Sequence, residues 1–466
     1  MPDAGATCYY TVIPQPFLSR AQIVSRRRCV PRLPSAFSLL PFPAFFRLRL
    51  PSSTMPHDRA PSANAAAIRM TAAERRATAG LAGIFGLRML GMFIILPVFA
   101  LYAETLPGGR DHTLVGLALG AYGLTQAVLQ VPFGWASDRW GRKPVIITGL
   151  LIFALGSFVA AWAPTIGWTI AGRTIQGAGA ISAAVIALAA DLTRDSVRSR
   201  AMAAIGMTIG ATFALSLIAA PALTPVIGVP GIFTLTGMLA LAAIGLLLWT
   251  VAGLHRDTQV QAAPPQWRRV FFDRDLLRLN YGIFALHAAL MALFVQVPFM
   301  LRDNGVAPAH HWLVYLPVLV GSVALMLPAL FQADRPRRGK IVFVGAIAVL
   351  FAGQLLFAAA GTSLAMTVAA LVVFFTGFNL LEALLPSLVS KFAPPAIKGT
   401  ATGVYSSVQF LGTFLGAAAG GWLSQWHGAA AVFGFGLVLT ALWLAVSAGM
   451  SPPPAYNQGD YSMGET

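Results

Sequence analysis

Four ionisable side chains stand inside long apolar stretches of this 466-residue chain: Arg88, Arg173, His287 and Glu382. Kept from water, a carboxylate or an imidazole can take up and release protons, and a guanidinium can hold an anion or organise a hydrogen-bond network. An arginine at the centre of a helix in lipid costs about 2.5–3.5 kcal/mol on insertion scales, so each one needs a partner or a task. Glu382 is the sole acid within the apolar stretches of the C-terminal half. It is a candidate for proton exchange, or for a structural bond to a neighbouring helix. His287 admits the same two readings, proton relay or simple hydrogen bond. Gln126, Gln130, Gln296 and Asn379 add neutral polar groups to these stretches. No HExxH, no GxSxG and no pair of aspartates accompanies them, which argues against a membrane enzyme. No His/Cys pattern suggests a metal, and no cofactor is expected.

The elements that hold these residues must be helices in lipid. The chain is 57% hydrophobic and only 10% charged, where a soluble globule carries about 25% charged residues. A spanning helix needs about 20 apolar residues. Twelve runs of that kind are expected near 79–103, 113–134, 144–163, 165–190, 201–223, 231–254, 279–301, 311–332, 341–360, 363–390, 400–423 and 428–448. These runs are continuous and about twice as long as a tilted strand requires, so an all-α polytopic membrane protein is expected rather than a β-barrel.

The formal net charge of +16 points to topology rather than to nucleic acid. Seventeen Lys and Arg residues fall in the turns after even-numbered segments, against Arg110 and Arg302 in the opposite turns. The positive-inside bias therefore puts both termini and the even-numbered turns in the cytoplasm. Attraction to anionic lipid is a side effect of the same charge.

The chain repeats itself. Ile84-Phe85-Gly86-Leu87-Arg88 is matched by Ile283-Phe284-Ala285-Leu286-His287, with Pro97 and Pro298 following. Asp138-Arg139 after the second segment is matched by Asp334-Arg335 after the eighth, and SRAMAAIG before the fifth by IKGTATGVY before the eleventh. The expected organisation is an N-terminal extension (1–73), a six-helix bundle (74–254), a cationic linker (255–278), a second six-helix bundle (279–450) and a tail (451–466). Two parallel six-helix repeats describe a carrier whose site lies between the halves. A channel is disfavoured, because a two-fold repeat with so few charges supplies no selectivity ring.

The stretch GWASDRWGRK, 134–143, resembles the signature between the second and third helices of the major facilitator superfamily, and IAGRTIQGAGAIS, 170–182, resembles the fourth-helix signature of its drug/proton antiporter branch. Within that branch FGLRMLGMFIILPVFALY, LNYGIFALHAALMALF and FNLLEALLPSLVSKFAP resemble the YajR-type group, though without that group's C-terminal cytosolic domain. The resemblance implies a conformational lock built from Gly134, Asp138, Arg139, Gly141, Arg142 and Lys143, with Asp191 as the charge partner of Arg142. The start of the eleventh segment, near Gly399, is the implied docking point for Asp138. It also implies a proton-coupling role for Arg173. The fifth segment departs from the pattern, with Ala219-Ala220-Pro221-Ala222 where antiporters of the branch carry a Gly-Pro pair.

A substrate cavity is expected to involve Arg88, Met89, Met92, Phe93, Tyr122, Gln126, Phe213, Met291, Gln296 and Phe378, since Met and aromatic side chains repack around varied ligands. The first segment holds Arg88 and no acid, so an anionic or neutral substrate is as well supported as a cationic drug.

Residues 1–73 are rich in Pro, Ser and Arg and have no proline-free apolar run. They read as disorder or as a start assigned upstream of Met55 or Met70, with a targeting segment as the alternative. Cys8 and Cys29 both fall there, outside the apolar segments. The expectation is a monomeric, multi-pass carrier of the bacterial inner membrane that works by alternating access. It would export an amphipathic small molecule in exchange for protons. The alternative is a metabolite or sugar transporter, symporter or facilitator, on the same scaffold, and a non-transporting receptor is the remaining possibility.

Overall fold

The computed structural model describes residues 70–251, 272–333, 335, 338–394 and 398–450. The expectations for residues 1–69 with both cysteines, for 252–271 of the linker, for Asp334 and for the tail lie outside the described residues. Among those described, the helices in chain order are α1 Ala72–Phe93, α2 Leu96–Ala103, α3 His112–Trp140, α4 Arg142–Ala161, α5 Ile166–Ala178, α6 Ser182–Asp191, α7 Asp195–Thr250, α8 Arg274–Asp303, α9 His311–Ala333, α10 Gly339–Ala359, α11 Leu364–Phe392, α12 Lys398–His427 and α13 Ala429–Ala448.

Among the described residues ten helical stretches are long and apolar enough to cross a membrane. Helices α1 and α2 cross as one, interrupted just ahead of Pro97, and α5 and α6 cross as another. Helix α7 is two helical legs meeting at a kink at Gly228, whose φ of 66° only glycine adopts readily, among Pro221, Pro225 and Pro230. It supplies two legs, the fifth and sixth. With α12, a 30-residue helix rich in glycine, serine and threonine, the expected twelve are complete.

Local chemistry fixes the ends. Thr71 caps α1: its hydroxyl accepts from the Glu74 amide at 3.2 Å, and the Glu74 carboxylate accepts from the Thr71 amide at 2.8 Å. The same carboxylate accepts from Arg194 Nε at 2.8 Å and Nη2 at 3.0 Å, tying the start of α1 to the turn before α7 and raising the Arg194 pKa. Each half ends on one device. Lys143 donates to the Val251 carbonyl and Lys340 to the Ala448 carbonyl, both at 2.9 Å and both across 108 residues. A lysine at a helix C-terminus satisfies an orphan carbonyl and the negative end of the dipole.

Helix α12 joins the halves through small residues. Cβ atoms at Gly412, Gly416 and Gly420 would meet the backbone of Phe284, Ala288 and Ala292 in α8. On its other side, Gly421 and Ala417 meet Gly116 of α3, and Gly120 and Gly123 of α3 lie against Phe414 and Phe410. Close backbone approach of this kind is how helices associate in lipid, where no hydrophobic force drives them together. All of these α3–α12 contacts lie in the half of α3 that begins at His112. At the other end a Cβ on Gly399 or Gly403 meets nothing within 4 Å, and one on Gly134 meets only Ala183 of its own half. The α3–α12 contacts between the halves thus gather at the His112 end, and among the described residues these three glycines make none across the halves at the Asp138 end.

Polar contacts reinforce the joined end. The His112 amide donates to Gln425 Oε1 at 2.8 Å, and its ring stacks on Phe299 with centroids 4.8 Å apart. Arg302 bridges to Glu104 at 2.6 Å.

Candidate functional site

Helix α1 carries Arg88 to the middle of the N-terminal half, fully buried. Its guanidinium donates to Ser182 Oγ of α6 at 3.0 Å and to Tyr122 Oη and Gln126 Oε1 of α3 at 2.8 and 2.7 Å. Gln126 passes the chain on to Gln130 at 3.0 Å. Arg173 of α5 lies across the same tyrosine, its guanidinium carbon 4.9 Å from the ring centroid, and donates to Gln176 Oε1 and at 3.5 Å to the Leu119 carbonyl. Gln176 in turn donates to Ser157 at 2.8 Å. Every acceptor for the two arginines is neutral.

The facing wall comes from the C-terminal half. His287 Nδ1 lies 3.3 Å from the Ile283 carbonyl and Nε2 lies 2.8 Å from Gln409 Nε2. These two contacts suit a neutral ring with the proton on Nδ1, because Nε2 must accept from the amide. Glu382 Oε2 stands 3.9 Å from His287 Nε2, buried and without a hydrogen-bond partner. Asn379 donates to Ser322 at 3.1 Å and serves packing.

The two walls enclose one cavity of about 230 Å³. Arg173, His287 and Glu382 all line it, so the three coupling candidates share a single space. Of the expected substrate-contact residues, Met89, Met92, Phe93, Tyr122 and Met291 reach it. Five do not. Arg88 and Gln126 sit behind Tyr122 in their own hydrogen-bond network. Phe213 and Phe378 pack into an aromatic cluster with Phe93, Phe294 and Phe375. Gln296 accepts from Ser424 at 2.8 Å, and Ser424 also meets His112 Nδ1 at 2.8 Å, which places Gln296 in the joined end.

Sequence reasoning missed the row that α12 contributes: Tyr405, Gln409 and Thr413, with Phe410 beside them. Their spacing of four along one helix face was a legible signal, but a polar row on a helix does not say what it faces.

The stretch 134–143 forms the end of α3 and the start of α4. Gly141 has φ 93° and makes the turn. Arg142 gathers three acceptors: Asp138, Ser137 at 2.9 Å and Asp191 at 3.2 Å. The Arg142–Asp191 pair is therefore present, while the recorded partners of Asp138 lie in its own half and not on α12. Arg139 stacks on Trp135 at 5.4 Å, and Lys143 is taken up by its helix cap.

Comparison with known proteins fits this geometry. The model of the Major Facilitator Superfamily matches residues 81–417 and 312–462. The inner membrane transport protein YajR of Escherichia coli K12 is 43% identical over 391 residues, covering 83% of this chain and 86% of that protein. The multidrug resistance protein MdtH of Aeromonas hydrophila is 26% identical, covering 72% and 85%. Among solved structures, an inward-facing, unoccupied bacterial homolog of the human lysosomal transporter Spinster superposes with a TM-score of 0.64 at 13% identity, covering 82% of this chain and 98% of that one. This multi-pass helical chain belongs to the major facilitator superfamily and is a secondary transporter, not an enzyme.

Proposed function

We propose that the protein exports an amphipathic small molecule across the bacterial inner membrane in exchange for protons, working as a monomer by alternating access. The observation that carries this reading is the meeting of Arg173, His287 and Glu382 on one cavity walled by both halves. A substrate held there contacts the arginine wall and the carboxylate wall together, so a proton arriving at Glu382 or His287 can change how firmly the substrate is held. Apolar side chains such as Met92, Phe93 and Met291 suit varied hydrophobic bodies.

In this reading both termini and the Asp138 end face the cytoplasm, and the conformation is inward-facing. Asp138, Arg139, Arg142, Lys143 and Asp191, with Gly134 and Gly141 shaping the turn, close the cytoplasmic end when the halves rock. Asp138 then reaches the positive N-terminus of α12. The 43% identity to an inner membrane transport protein supports the location.

The test is proton movement in vesicles holding the purified protein, under an imposed pH gradient, as lipophilic cations, neutral compounds and anions are added in turn. Substrate-evoked proton flux that is lost in Asp138→Asn and Arg173→Ala is the expected result. Substrate flux without proton movement would make the protein a facilitator or couple it to another ion. Binding with no flux at all would make it a receptor.

A further inference from the structure

We propose that the substrate is a compact amphipathic anion, a carboxylate or phenolate on an apolar body, whose charge is received by the Arg173–Tyr122 side of the cavity. This deepens the reading above by naming the substrate class of the same site.

Charge within the N-terminal half is unbalanced. The apolar segments of the N-terminal half contain two cations, Arg88 and Arg173, and no acid. Both are buried, at 0% and 2% exposure. Among the described residues all their hydrogen bonds go to neutral groups, and the Nε of each has no partner. A buried cation without a carboxylate forfeits hydration that neutral acceptors replace only in part. A ligand bearing a negative charge supplies the missing partner, and in a water-poor cavity that attraction is far stronger than in solvent.

The opposite wall does not reverse the balance. His287 is neutral in the hydrogen-bond pattern it makes with Ile283 and Gln409. Glu382 brings at most one negative charge against the two arginines. The remaining titratable groups on the cavity, Tyr122 and Tyr405, are phenols that can donate to an oxyanion. A volume of about 230 Å³ lies below the 300–1,000 Å³ typical of drug-sized ligands, which favours a small body.

The test is equilibrium binding to the purified full-length protein in detergent, with three probes that share a naphthalene body: 1-naphthoate, 1-naphthylmethanol and 1-naphthylmethylammonium. Naphthoate should bind at least tenfold more tightly than the alcohol and more tightly still than the ammonium. Arg173→Gln should reduce the naphthoate preference by about tenfold. Leu119→Asp, which adds an acid on the cavity wall at the residue whose carbonyl accepts from Arg173, should abolish the preference, with its unfolding temperature measured alongside to show that it is folded. Equal or tighter binding of the alcohol or the ammonium, or no saturable naphthoate binding to the unaltered protein, overturns the proposal. No proton gradient is used, so a failure here is distinct from a failure of proton coupling, which appears only in the vesicle assay.

Discussion

Arg173 lies on the face of Tyr122, its guanidinium carbon 4.9 Å from the ring centroid. The hydroxyl of that ring accepts from Arg88 at 2.8 Å, so one side chain supports two buried cations by two different interactions. The ring survives in Tyr122→Phe but the acceptor does not. Hydrogen bonds to charged groups contribute about 1.5–3 kcal/mol, and that is the expected destabilisation, read as a lowered unfolding temperature of the purified protein. Tyr122→Leu removes the cation–π contact as well and should destabilise further.

Gly116 has no room for a side chain while the halves are joined, because a Cβ would overlap the Ala417 carbonyl and crowd Gly421. Gly116→Val should therefore disfavour the present conformation by about 1–3 kcal/mol, shifting the equilibrium between the two access states roughly 5- to 150-fold. The check is labelling of Met291→Cys, a cavity residue, in a background where Cys8 and Cys29 are serine. An impermeant maleimide applied from the His112 side should label it several times faster in the valine variant. Equal rates would mean that the α3–α12 contact does not govern access.

The Arg302–Glu104 pair crosses the same end of the bundle at 2.6 Å, but its side chains are 39% and 33% exposed. Pairs this wet contribute about 0.2–1 kcal/mol. Glu104→Gln should accordingly move the same labelling rate by less than about fivefold, and the effect should fade as salt is raised. A larger or salt-independent effect would show that the joined end depends on this charge pair more than on its glycines.

Glu382 has an unpartnered buried oxygen facing His287. In Glu382→Gln the shape is kept and the exchangeable proton is lost. Uphill transport driven by a pH gradient should fall at least tenfold, while exchange of labelled for unlabelled substrate at equal pH on both sides should persist. Loss of both activities would assign Glu382 to substrate binding instead.

The crossings were readable because lipid leaves a chain few options: an apolar run of sufficient length must satisfy its own backbone. The fifth and sixth segments were expected as separate helices, and Gly228 parts them. Polar groups inside apolar stretches were readable too, since Arg173, His287 and Glu382 all stand within such stretches and all line the cavity. Rotation about each helix axis was not. Gln296 and Met291 lie five residues apart on α8, yet one meets Ser424 and the other the cavity. Facing is decided by which neighbour packs where, and in α12 that depends on glycines on two sides of the helix, each read only against its partner. The repeat was visible as short matching strings, but the matching lysine caps of the two halves involve carbonyls, which a string of side chains does not display.

Arg88 also bears on how the chain is made. Its hydrogen-bond partners are supplied 34, 38 and 94 residues downstream, by α3 and α6. When α1 emerges from the ribosome none of them has yet reached the membrane beside it, and a lone arginine in mid-bilayer is disfavoured. The first crossing therefore settles fully only after the second and fourth have arrived, so that the leading helix is among the last of its half to reach its final state. A truncated chain ending before Ser182 should leave α1 loosely inserted and exposed to quality-control proteolysis, which makes biogenesis of this half a cooperative event rather than a sequential one.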